Sequence, residues 1–120
     1  MAGKQRVYKL RMNDRAFAII ARAAYLSALE TRRIETMPSL LIRLVETFDQ
    51  PSQEVLEAFK EGEPYNGDQL VFGKIDEATS EIFDVVKDRI CEVLRRDCSV
   101  LDTVIFLAIA FIRKKEACGS

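Results

Sequence analysis

Gln5-Arg6-Val7-Tyr8-Lys9-Leu10-Arg11-Met12 alternates in type, with Tyr8, Leu10 and Met12 on one parity and Val7, Lys9 and Arg11 on the other. Successive side chains of a strand point to opposite faces, so this period of two predicts a half-buried β-strand. One face asks for a core and the other carries two cations. No acidic residue precedes Asp14, so the strand is expected to lay a basic edge against something negative, of which DNA is the leading candidate. A lone strand leaves its backbone donors and acceptors unpaired. The rest of the chain must supply a second one.

That second strand is expected at Gln69-Leu70-Val71-Phe72-Gly73-Lys74-Ile75. Between the two, Asn13 or Asp14 caps a helix whose apolar stripe reads Phe17, Ile20, Ala21, Ala24, Tyr25 and Ala28, at spacings of three and four. A break at residues 32–35 precedes a second helix. Thr36 is its N-cap, Pro38 sits in its first turn, and Met37, Leu40, Leu41, Leu44, Val45 and Phe48 form its stripe. Residues 49–68 read as a connector with a short acidic helix over 53–61 and a turn-rich end, Gly62 to Asp68. After the second strand, Ile82, Val85, Val86, Ile90 and Val93 form another helical stripe, and Val100, Val104, Leu107, Ala108 and Phe111 form the last.

Strand, helix, helix thus occurs twice, over residues 5–48 and 69–115. An offset of 65 carries Phe17, Ile20, Ala21, Tyr25 and Ala28 onto Ile82, Val85, Val86, Ile90 and Val93. An offset of 63 carries Thr36 onto Ser99, Arg32-Arg33 onto Arg95-Arg96, and Met37, Leu41, Leu44, Val45 and Phe48 onto Val100, Val104, Leu107, Ala108 and Phe111. Any two amphipathic helix pairs share some pattern by chance. A doubled arginine followed three residues later by a hydroxyl cap is harder to obtain that way.

Composition narrows the classes. A chain of 120 residues with 48% apolar residues fills one core and makes one domain. The formal charge of −1 hides an asymmetry: residues 1–50 hold 9 Lys and Arg against 5 Asp and Glu, and residues 51–120 hold 9 against 14. A basic face on an acidic body results. With no histidine and three cysteines without a CxxC pair, the usual zinc sites and the Ser-His and Cys-His catalytic arrangements are excluded. No metal, cofactor or enzymatic activity is expected, and the thiols read as small residues of a reduced, cytoplasmic protein. The N-terminus is polar without an apolar signal segment. The longest apolar run, Val104 to Ile112, has nine residues, against roughly 20 for a membrane span. It reads as a buried helix.

This order of elements resembles the ribbon-helix-helix family of DNA-binding proteins, the Arc/MetJ-like repressors. More closely it is similar to their single-chain tandem form in the TraY-like and VirC-type accessory proteins of conjugation and T-DNA transfer. The resemblance covers nearly the whole chain. It implies a mainly α fold with one two-stranded antiparallel ribbon, a tandem ribbon-helix-helix pseudo-dimer within a monomer, and a ribbon that enters the major groove of double-stranded DNA. It further implies base contacts from Val7, Lys9, Arg11, Phe72 and Lys74. Phosphate contacts would come from Lys4, Arg6, Arg32, Arg33, Thr36, Ser39, Arg95, Arg96 and Ser99, because a helix N-terminus with unpaired N–H groups is an anion site. Other proteins of a DNA-processing complex are further expected partners, and transcriptional regulation is the other role implied.

Blander readings stand beside these. Lys9 and Arg11 can simply solvate an edge strand, although an outward Phe72 does not fit that account. Thr36 and Ser99 can be N-caps alone, with Asp102 completing a capping box behind Ser99 and opposing a phosphate there, so the first half is expected to grip more strongly. Gly73 weakens the second strand, the stretch 14–35 is longer than compact repressors use, and because the halves are unequal the target need not be palindromic. The competing class is a protein-interaction module, an antitoxin or adaptor, with no direct DNA role.

Overall fold

The computed structural model describes residues 5–118. They form two strands and five helices in the order β1 (Gln5–Met12), α1 (Asp14–Thr31), α2 (Met37–Thr47), α3 (Gln53–Gly62), β2 (Gln69–Asp76), α4 (Glu77–Leu94) and α5 (Val100–Cys118). The fold is mainly helical, and the one sheet among the described residues pairs β1 with β2 antiparallel over eight rungs, from Gln5 opposite Asp76 to Met12 opposite Gln69. The two runs expected to be partners are partners. Their register is held by the returning connector: Asn13 N–H donates to the Tyr65 carbonyl at 2.8 Å, Asn13 Nδ2 donates to the Pro64 carbonyl at 2.8 Å, and Gly67 N–H donates to the Arg11 carbonyl.

One core lies beneath the ribbon. Tyr8, Leu10, Met12 and Ile75 point into it, and the Tyr8 ring packs 5.2 Å from Phe83 of α4. Helix α5 is the post around which the others gather, for Leu101, Val104 to Ile109 and Phe111 are all buried. It packs against α1, α2, α3 and α4, and a helix apolar on all sides needs such a setting. Phe106 sits at its centre, 5.6 Å from Phe59 of α3 and 6.4 Å from Phe48. Leu40, Leu41, Leu44 and Val45 close the core from α2. Each large side chain so buried contributes about 1.5–3 kcal/mol. None of the helices among the described residues is long and apolar enough to cross a membrane.

The expected stripe of α1 has the wrong phase. Phe17 and Tyr25 are exposed, and the face turned inward is Ala16, Ile20, Ala23 and Ser27. In α4, Ile82 and Val85 are likewise exposed, while Ser80, Phe83, Val86, Ile90 and Leu94 are buried. For α1 the physical reason is close packing on bulky α5, which favours alanines and a serine over aromatic residues at the contact. In α4 the inward face is set by Phe83, which packs on Tyr8 beneath the ribbon, and the expected Val86 and Ile90 are buried beside it. The offset of 65 fails with the stripe. Asn13 and Asp76 are the observed N-caps, Arg32 and Arg95 the observed C-caps, and Ile20, Ala23 and Ser27 correspond to Phe83, Val86 and Ile90; every one of these intervals is 63.

Two glycines permit close approaches. A Cβ on Gly73 would lie 2.6 Å from Leu41 Cδ1, and one on Gly67 would lie 2.6 Å from Asn13 Cα and 2.7 Å from Asn13 N. Gly73 thus admits α2 against the ribbon, in addition to weakening the strand. Because a leucine methyl can move and a backbone cannot, Gly73→Ala should cost about 1–3 kcal/mol and Gly67→Ala more, as measured by urea denaturation.

Burial pushes the Cys98 thiol up from 9.0 to about 11 and the Tyr65 phenol up from 10.0 to about 12, the latter while its hydroxyl donates to the Phe59 carbonyl at 2.6 Å. In both cases the folded protein keeps a proton that the unfolded chain releases. The associated stability is complete below pH 9 and falls as pH rises from 9 to 12. Urea midpoints should therefore decline across that window, and Tyr65→Phe should flatten its upper part.

Candidate nucleic-acid interface

Alternation along β1 and β2 divides the ribbon into two faces, and the register decides which residues meet. On the face away from the core, Val7 stands opposite Lys74, Lys9 opposite Phe72, and Arg11 opposite Leu70. All six are exposed, Val7 by 52%, Phe72 by 53% and Leu70 by 41%. The five residues expected to face outward are therefore brought together. Leu70 was not among them, although its parity with Phe72 marks it. None of Lys9, Arg11 and Lys74 has an ion-pair partner among the described residues, in contrast to Arg6, Arg22, Arg43, Arg96, Arg113, Lys114 and Lys115. Three apolar side chains set between three unpaired cations leave stabilisation unrealised in water.

Asp76 ends this face, but its carboxylate accepts from Thr79 N–H at 2.7 Å and caps α4, a bond that holds its pKa below the usual range. Arg6 belongs to the other parity. It donates to Tyr8 Oη at 3.4 Å and to Asp84 at 3.1 Å, and these partners, the hydroxyl first, raise its pKa further. Its guanidinium is engaged with α4 beside the ribbon. Lys4 lies outside the described residues.

The N-termini of α2 and α5 carry the remaining expected contacts, and they differ. At α2, Thr36 Oγ1 accepts from Ser39 N–H at 3.3 Å, and the first turn holds no acidic residue. Nearby Glu35 accepts from the buried Ser27 hydroxyl. Arg32, Arg33, Thr36 and Ser39 are all exposed there. At α5, Ser99 Oγ accepts from Asp102 N–H at 3.0 Å and Asp102 Oδ2 accepts from Ser99 N–H at 3.4 Å, the reciprocal pair of a capping box. Arg96 is held by Glu63 at 2.5 Å, whereas Arg95 has no ion-pair partner among the described residues. The α2 terminus is open and basic, whereas the α5 terminus lies among Glu63, Asp97 and Asp102.

The first arginine of each doublet has an uncommon backbone. Arg32 has φ 63° and Arg95 has φ 58°, both left-handed, as the residue closing α1 and α4. Glycine or asparagine usually takes this place, because a Cβ there costs roughly 1–2 kcal/mol. Substituting glycine for both arginines should leave the melting temperature unchanged or raise it; a clear fall would mean that the arginine side chains themselves hold the two corners.

Comparison with protein-family models, curated proteins and solved structures finds no match to this chain.

Proposed function

We propose that the protein binds double-stranded DNA sequence-specifically, with the β1–β2 ribbon in the major groove and the two strand-helix-helix units acting as an intramolecular pseudo-dimer. One observation carries this reading: an exposed ribbon face on which Lys9, Arg11 and Lys74 have no ion-pair partner among the described residues and Val7, Leu70 and Phe72 are unburied. The major groove is about 12 Å wide and admits a two-stranded ribbon. There, Lys and Arg bond guanine O6 and N7, and an apolar group packs on a thymine methyl. Edge protection would account for the cations alone. It leaves the three apolar residues without a purpose.

The common interval of 63 residues between caps and between buried positions supports the paired-unit reading. The α2 terminus, with Arg32, Arg33, Thr36 and Ser39, is the stronger phosphate anchor, and Arg95 with the α5 terminus is the weaker. Binding as an accessory protein of a conjugation or T-DNA-transfer complex, or as a transcriptional regulator, follows from the resemblance alone. Exposed Phe17, Tyr25, Ile82 and Val85 favour the second reading, a module that binds another protein.

A salt titration separates the two. About six phosphate contacts give a log K against log[salt] slope of about −5, and a flat response would favour the protein-binding module. Lys9→Ala combined with Arg11→Ala should abolish discrimination between DNA sequences while thermal melting stays nearly unchanged. Loss of folding in that double variant would show the two side chains to be structural. Arg32→Gly with Arg33→Ala should weaken all sequences alike and flatten the slope by about one or two; selective loss of one site would contradict a backbone role.

A further inference from the structure

The interval and the register meet at one pair of residues. Counting 63 residues forward sends Val7 to Leu70, Lys9 to Phe72 and Arg11 to Lys74. Across the ladder, Lys9 faces Phe72, while Val7 faces Lys74 and Arg11 faces Leu70. Lys9 and Phe72 are therefore both equivalent positions and direct neighbours, so a pseudo-dyad passes between them. Either end of the exposed face then carries the same chemistry, one apolar residue and one cation: Val7 with Lys74, and Leu70 with Arg11. Only the central pair differs, a cation on one side of the dyad and an aromatic ring on the other.

Resting on the DNA-binding reading above, we infer that Lys9 and Phe72 are the asymmetry-determining residues. The target is an inverted repeat whose symmetry is broken only at its centre, by guanine on the Lys9 side and thymine on the Phe72 side. The outer pairs lie two residues away, about 7 Å along each strand, or about two base-pair steps. They meet equivalent bases in the two arms. Lys9 donates to guanine O6 or N7, and Phe72 covers the thymine methyl, the one apolar group that a base pair shows in the major groove. This narrows the asymmetry of the target to a few base pairs instead of the whole site.

Selection of bound duplexes from a random pool, using the full 120-residue chain, tests it. Wild-type protein should enrich inverted-repeat arms around a centre with guanine on one side and thymine on the other. Phe72→Lys should enrich a fully palindromic centre with guanine on both sides. On the wild-type site, replacing the central thymidine with deoxyuridine, which removes the methyl alone, should lower affinity about fourfold; Phe72→Lys should not feel the change. Because that measurement uses the wild-type protein, it holds even if the variant fails to fold. A palindromic wild-type centre, asymmetry spread through the arms, or indifference of the wild type to deoxyuridine would each overturn the inference while leaving DNA binding intact. A pool with no enriched sequence would overturn both.

Discussion

Pairing of β1 with β2 is the constraint on which the rest of the molecule depends. The strands lie 56 residues apart in the chain, and an isolated two-stranded ribbon is marginal in water. The ladder forms because its inner face has something to rest on. Tyr8, Leu10, Met12 and Ile75 meet a helical core, and Gly73 lets α2 approach closely enough to complete the contact. The connector does the rest, returning along the end of β1 through Asn13, Tyr65 and Gly67. Once the ladder and its inner face are set, alternation determines the outer face without any further specification.

How much of this was legible depends on how much each segment's chemistry discriminates. In β1, large apolar residues alternate with charged ones, so strand and faces followed from parity, and the return of a strand-like run at residues 69–75 supplied the partner segment. In α2 and α5, bulky aliphatic residues recur on one side or on all sides, and Thr36 and Ser99 mark where the helices begin. Helix α1 is different. It is rich in alanine, which is compatible with either face, and its few large residues, Phe17 and Tyr25, turned out to be exposed. Its buried Ser27 carries no hydrophobic signal at all and is accounted for by a hydrogen bond to Glu35. The left-handed corners at Arg32 and Arg95 were invisible for a related reason: residue type alone points to glycine there, so arginine disguised the turn.

The doubled pattern conceals a difference in electrostatics that pairing decides. Sequence places Arg32-Arg33 and Arg95-Arg96 equivalently, yet Glu63, delivered by the connector, occupies Arg96. A surface ion pair of this kind contributes at most about 1 kcal/mol to stability. Its larger effect is to remove one cation from the α5 terminus, where Asp102 already closes the capping box. The basic first half and acidic second half thus become, in three dimensions, one open helix terminus and one occupied by the protein's own carboxylates.

Because β1 and β2 belong to a single polypeptide, their association cannot be undone by dilution. Two separate chains must find one another before a shared ribbon exists; here the intervening chain makes the encounter intramolecular and independent of protein concentration. The composite surface therefore persists even when the protein is scarce. A change of residue on one strand is also not echoed on the other, so the two sides of the ribbon are free to diverge independently, a freedom denied to any assembly of identical subunits.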